Sequence, residues 1–200
     1  RRFARCGSDE RWFVNNLVKI AQGIDTAPLL LEIARQPNLW NRHSVRKTAP
    51  DTPHAAMDDI WLRYNDEKPF KESGDYSKFN DEHDAKFYPE WFALPSARPI
   101  VYGMMARVQA VRLGGVMITR IPAGGKIEPH SDKGWHATYY NTKLYVVLQS
   151  NPQCVNRVEE ERVAMAPGEC WYFDNTIEHE VTNDGPDDRI TLIICLRCER

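Results

Sequence analysis

The sequence predicts a mostly β protein, an antiparallel barrel or jelly roll with helical and irregular chain packed on it, and three observations carry this reading. After Gly115, short β-type runs follow one another between Pro, Gly and Asn turns. Ahead of them, apolar residues recur at helical spacing in two N-terminal stretches. Between the two lies a segment with five prolines, from Leu39 to Arg98, in which no period holds for long.

The first helical stretch is expected over 12–24, with Phe13, Leu17, Ile20 and Ala21 on one side, and the second over 27–35, with Leu29, Leu30, Ile33 and Ala34. In the irregular segment, the apolar run Ile60-Trp61-Leu62 reads as one strand. A further helix is expected over 99–113, carrying Ile100, Met104, Val108 and Val111 on one side and stopped by Gly114-Gly115. The strands are then expected at 116–121, 143–149, 162–165, 170–173, 179–182 and 190–196. With 200 residues, 42% of them hydrophobic, the default is one folded unit, in which residues 1–112 support and shape the site and residues 113–200 form the β core.

A net charge of −2, from 26 basic and 28 acidic residues, supplies no global attraction to nucleic acid or an anionic membrane, so neither is expected as a partner. No run of about 20 apolar residues is present. The opening Arg1-Arg2-Phe3 lacks the apolar stretch of a secretory leader. Five scattered cysteines, an odd number, suit reduced thiols, and a cytoplasmic protein is expected. Cys195-x-x-Cys198, without a second pair, reads as two thiols at the end of a strand rather than as a zinc site.

The chemistry concentrates between Ile121 and Leu196. Ile121-Pro-Ala-Gly-Gly ends a strand and leads to His130-Ser-Asp132, where an extended backbone would turn residues i and i+2 to one face. His179 follows 49 residues later. Two neutral imidazoles and a carboxylate make a facial triad that offsets some of a divalent charge and leaves adjacent positions open, the arrangement suited to non-haem Fe(II), an oxo-acid and dioxygen. Arg189 opens the apolar run Ile190 to Leu196, and a guanidinium buried there needs an anion, for which a carboxylate is the bidentate match.

These motifs together, with Asn151-Pro152, Pro167-Gly-Glu-Cys-Trp-Tyr-Phe-Asp-Asn175, Glu178-His-Glu-Val181, Asn183 and Arg189, resemble the aspartyl/asparaginyl β-hydroxylase family over about 75 residues. The resemblance implies a double-stranded β-helix and a dioxygenase that uses Fe(II), 2-oxoglutarate and O2 and releases succinate and CO2. It places the metal on His130 and His179 and the oxoglutarate carboxylate on Arg189. In the enzyme that names the family a glycine stands at the position of Asp132, so that ligand rests on local chemistry. Where the family carries Arg-x-His, this chain has Lys143-Leu-Tyr145, two residues still able to contact a carboxylate. No catalytic side chain is expected beyond the metal ligands.

Substrate-side candidates are Trp135 and His136, expected in a loop over the metal, and His54 and Arg63 from the irregular segment, with Asp58-Asp59 beside them. His43 and His83 read as surface or capping residues. The substrate class stays open between a small molecule and a peptide or protein. Two other readings also stay open: a cupin-like metalloenzyme without oxoglutarate, which leaves Arg189 unexplained, and a non-catalytic ligand-binding jelly roll.

Overall fold

The computed structural model describes residues 16–48, 52–80 and 85–199. Its elements run β1 (Leu17–Ala21), α1 (Ala27–Arg35), a 3-10 turn (Pro37–Leu39), α2 (Val45–Thr48), β2 (Asp58–Tyr64), α3 (Lys68–Ser73), α4 (Ser77–Asn80), β3 (Lys86–Phe87), α5 (Pro89–Ala93) and α6 (Ala97–Arg107). Then follow β4 (Arg112–Ile121), β5 (Lys126–His130), α7 (Trp135–Tyr139), β6 (Thr142–Gln149), β7 (Cys154–Val158), β8 (Glu161–Val163), β9 (Cys170–Phe173), β10 (His179–Asn183) and β11 (Arg189–Arg197). Two antiparallel sheets result, a major one in the order β1-β9-β6-β11-β4-β2-β3 and a minor one in the order β5-β10-β7-β8. Mostly β with two facing sheets, this is the expected double-stranded β-helix.

Why β11 is apolar on both sides follows from the layers. One face of the major sheet (Leu144, Val146, Leu192, Ile194, Leu196) packs under α1 and α6 through Leu29, Ile33, Val101 and Met104. The other face (Tyr145, Val147, Met117, Ile193, Cys195, Phe173) turns into the barrel with Val158 of the minor sheet. A strand covered twice has no solvent face to alternate with, so all but the last of its residues are buried.

The structure corrects several local expectations. The stretch 12–24 is not a helix where it is described: Leu17–Ala21 is an edge strand, with Leu17 opposite Phe173 and Val18 opposite Tyr172, and 12–15 lie outside the described residues. Backbone pairing to β9 outweighs a weak helical period over so few residues. The helix expected to 113 ends at Arg107. Gln109 adopts φ 55° just beyond it, and the chain re-emerges as β4. Gly114-Gly115 therefore stop nothing. They lie inside β4 because aromatic rings press on them: a Cβ on Gly114 would stand 2.6 Å from the Tyr140 ring, and one on Gly115 would stand 3.0 Å from that of Tyr64. Replacing Gly114 by Val should therefore destabilise the protein by about 1–3 kcal/mol through overpacking. In thermal unfolding this corresponds to roughly 2–4 °C per kcal/mol.

The irregular segment holds more order than its prolines suggest. Four short helices, α2 to α5, surround β2, and Pro69 and Pro89 sit at helix starts, where the missing N–H costs nothing. His43 is no surface residue: its Nδ1 lies 3.0 Å from Glu67 Oε1 and its ring stacks on Trp61 at 4.9 Å. His83 lies outside the described residues.

Candidate active site

Pairing of β10 with β5 sets His179 directly across from His130, with ring centroids 4.3 Å apart. Each ring is fixed through Nδ1, 2.8 Å from the Glu128 carbonyl for His130 and 2.9 Å from the Ile177 carbonyl for His179. A carbonyl only accepts, so both rings carry their proton on Nδ1, and Nε2 is left with a free lone pair, as a metal ligand requires. Burial pulls His179 down to about 4, and the ammonium of Lys143 adds to the effect. Burial also lowers His130, so both imidazoles are neutral near pH 7.

Asp132 reaches the same place by a route other than the expected one. β5 ends at His130, so the strand alternation does not extend to Asp132. Its position is set instead by Asn175: the Asp132 N–H donates to the Asn175 carbonyl at 2.8 Å, and Asn175 Nδ2 donates to Asp132 Oδ2 at 2.8 Å. Asp132 Oδ1 then stands 3.6 Å from His130 Nε2. Burial opposes its charge, but Lys143, 2.6 Å from Oδ2, and Asn175 hold the carboxyl far below the usual range. Lys143 is 8% exposed, and Asp132 keeps its ammonium charged against the same burial. Thus Lys143, expected to face an oxo-acid, meets the carboxylate of Asp132.

His54, from the chain before β2, joins this group. Its ring lies 5.3 Å from that of His130, nearly perpendicular. Ligand atoms of His54, His130 and Asp132 all fall within 4.8 Å of one another, a trio that does not include His179. His54 and Asp132 line both an open recess of about 550 Å³, shared with His130, Ser131 and Thr176, and an inner cavity of about 140 Å³.

Arg189 lies deeper, at the other end of β11, and is 2% exposed. It donates to Asn156 Oδ1 at 3.0 Å, and its guanidinium carbon is 5.3 Å from the centre of the Tyr145 ring. Its Nε is buried without a hydrogen-bond partner, and among the described residues no carboxylate pairs with it. Burial lowers its pKa, as expected of a cation with no counter-ion among the described residues.

The substrate-side candidates separate. His136 stands on α7, not in a loop, and lines the inner cavity. Trp135, on the same helix, stacks on Tyr139 at 4.9 Å and lines neither space. Arg63 is also elsewhere: it donates to the Leu113 and Gly114 carbonyls at 2.7 and 2.8 Å and covers the Phe87 ring, so it braces β4. Asp58 pairs with Arg120 at 2.6 Å. Among the residues that line the cavity, Arg46, Tyr64, Asn65 and Tyr140 are polar ones that the sequence does not single out. Nothing in their local pattern marks them. Asn175 could be found as the polar end of the Pro167 to Asn175 motif.

Comparison with known proteins bears on the fold and the family. A structure described as an oxidoreductase of the 2OG-Fe(II) oxygenase family from Burkholderia pseudomallei superposes with a TM-score of 0.55 at 14% identity, covering 91% of this chain and 84% of that one. Partial likeness extends to a cupin domain from Bordetella pertussis, with a TM-score of 0.33 at 19% identity over 42% of this chain and 81% of that one. No curated protein sequence matches. The first of these structures shares the two-sheet architecture described above, so the class of fold is the double-stranded β-helix. The family model for aspartyl/asparaginyl β-hydroxylase matches residues 58–198. The chain belongs to the aspartyl/asparaginyl β-hydroxylase family, a family of hydroxylases.

Proposed function

We propose that the protein is an Fe(II)- and 2-oxoglutarate-dependent dioxygenase that hydroxylates a small-molecule or peptide substrate and releases succinate and CO2. The observation that carries this reading is Arg189: a guanidinium buried inside the barrel with no carboxylate partner among the described residues, in a fold that also brings together two tautomer-fixed histidines and an aspartate. Only a reading with an anionic co-substrate gives that charge a purpose.

The residues fit the metal. His130, His179 and Asp132 would hold it through Nε2, Nε2 and a carboxylate oxygen, and the iron, once bound, would supply the redox chemistry of dioxygen activation. Lys143 and Asn175 orient Asp132 and offset its charge. Arg189 would receive the distal carboxylate of 2-oxoglutarate, with the Tyr145 ring against its guanidinium limiting the directions from which an anion can approach. Phe173, 5.0 Å from the His179 ring and 4.6 Å from that of Tyr145, keeps water from the wall between the two sites.

Two measurements test this. Anaerobic addition of Fe(II) and then 2-oxoglutarate should produce a weak visible charge-transfer band. With dioxygen and substrate, succinate should form in proportion to hydroxylated product. Full activity with zinc, or without any oxo-acid, would favour a cupin-like or hydrolytic enzyme instead.

A further inference from the structure

We infer that the inner cavity is a subsite for a small amino acid-like molecule, with Arg46 receiving its carboxylate and Asn65 accepting from its N–H. This deepens the oxygenase reading, on which it rests for placing the reacting carbon near Asp132.

Arg46 sits on α2, outside the matched family segment, with a side chain 11% exposed. Its Nη1 is engaged, 3.6 Å from Asp59 Oδ2 and 3.7 Å from the Met57 sulfur. Nε and Nη2 make no hydrogen bond among the described residues, and Arg46 is one of the residues that line the cavity. Asp59 is 1% exposed, and burial raises its pKa, opposed first by the charge of Arg46. Such a carboxylate fixes one edge of a guanidinium and leaves the other edge as a fork, the geometry that matches a carboxylate.

Asn65 supplies the second half. It is 3% exposed, and its Nδ2 donates to the Phe79 carbonyl at 2.9 Å. That bond fixes which amide atom is which, and leaves Oδ1 as a buried acceptor with no donor among the described residues. A buried acceptor without a donor costs free energy that a ligand N–H recovers. The cavity, about 140 Å³, also touches Asp132, His54 and Asn175, so a molecule held at Arg46 and Asn65 shares the cavity with Asp132. Its size suits a small molecule rather than a folded protein segment.

The test uses the full chain and ligand-observed NMR with the twenty common L-amino acids, then the primary carboxamide of each one that binds. Each titration is repeated with saturating 2-oxoglutarate, which fills any site at Arg189. The expected result is binding of at least one amino acid that 2-oxoglutarate does not displace, at least about tenfold tighter than its carboxamide. That preference should be reduced in Arg46→Lys and lost in Arg46→Met, each variant first shown to unfold cooperatively; Arg46→Met should do so at a lower Tm, since it leaves Asp59 without the charge opposite it. Binding of no amino acid, equal binding of acid and carboxamide, or unchanged preference in Arg46→Met overturns the proposal. Should the charge-transfer band fail to form while Arg46-dependent binding persists, the oxygenase reading falls and the subsite stands. Should the band form while no amino acid binds, the subsite falls alone.

Discussion

Arg189→Met is expected to weaken 2-oxoglutarate binding by roughly 30-fold to several-thousand-fold, because losing a charge-assisted pair in a dry site costs about 2–5 kcal/mol. Arg189→Lys should fall between the parent and Arg189→Met, since it keeps a charge but loses the fork. Metal affinity should be unchanged, because Arg189 contacts Asn156 and Tyr145 and none of the metal-site residues. Titration of the charge-transfer band, or of succinate formation against 2-oxoglutarate, gives the ranking. Removing a buried cation also relieves a desolvation cost, so ligand-free Arg189→Met should unfold at or above the parental temperature. Tight oxoglutarate binding by Arg189→Met would remove this residue from the site, and Lys143→Met would then be the variant to measure.

The second large effect is at the metal. His130→Ala and His179→Ala should each abolish turnover and drop metal affinity below the range useful at micromolar protein, as read by calorimetric titration of Fe(II) or of the air-stable substitute Co(II). Neither change should unfold the barrel: the His130 ring is bonded to a carbonyl two residues back in its own strand, and the His179 ring to one two residues back in its own chain. Asp132→Gly is expected to be graded, with weaker metal binding and residual activity, since it leaves both imidazoles in place. It also strips Lys143 of its carboxylate partner and leaves a buried ammonium, so this variant alone of the three should lose thermal stability. Full activity in either histidine variant would remove that residue from the metal site.

These residues are legible in the sequence for different reasons. His130, His179 and Arg189 can be read because spacing, residue type and the surrounding apolar strands all constrain one another. Strand alternation points to Asp132, although β5 ends before it and Asn175 places it. Arg46 and Asn65 are not legible, since neither is marked by a periodic pattern and their meaning comes from partners at Asp59 and Phe79 that no local rule connects. Edge strand β1 reads as helix for a similar reason. Its identity is conferred by β9, about 150 residues further on, and a five-residue segment has too little period to declare it alone. Lys143 falls on the strand expected for it, but which anion it meets is decided by the loop that carries Asp132.

The position of β11 bears on how the molecule can be made. The last strand in sequence lies in the middle of the major sheet, between β6 and β4, and brings Arg189 with it. On a ribosome, β4, with β2 beside it, and β6, with β9 and β1, can form only as two separate ribbons until β11 has emerged. Each waits with an unpaired edge and an apolar face. Contacts so distant along the chain close slowly, and open edges invite association. Assembly should therefore be a late, concerted event in which the central strand zips between two waiting halves. A chain stopped before Arg189 would be an aggregating pair of half-sheets rather than a weakened enzyme.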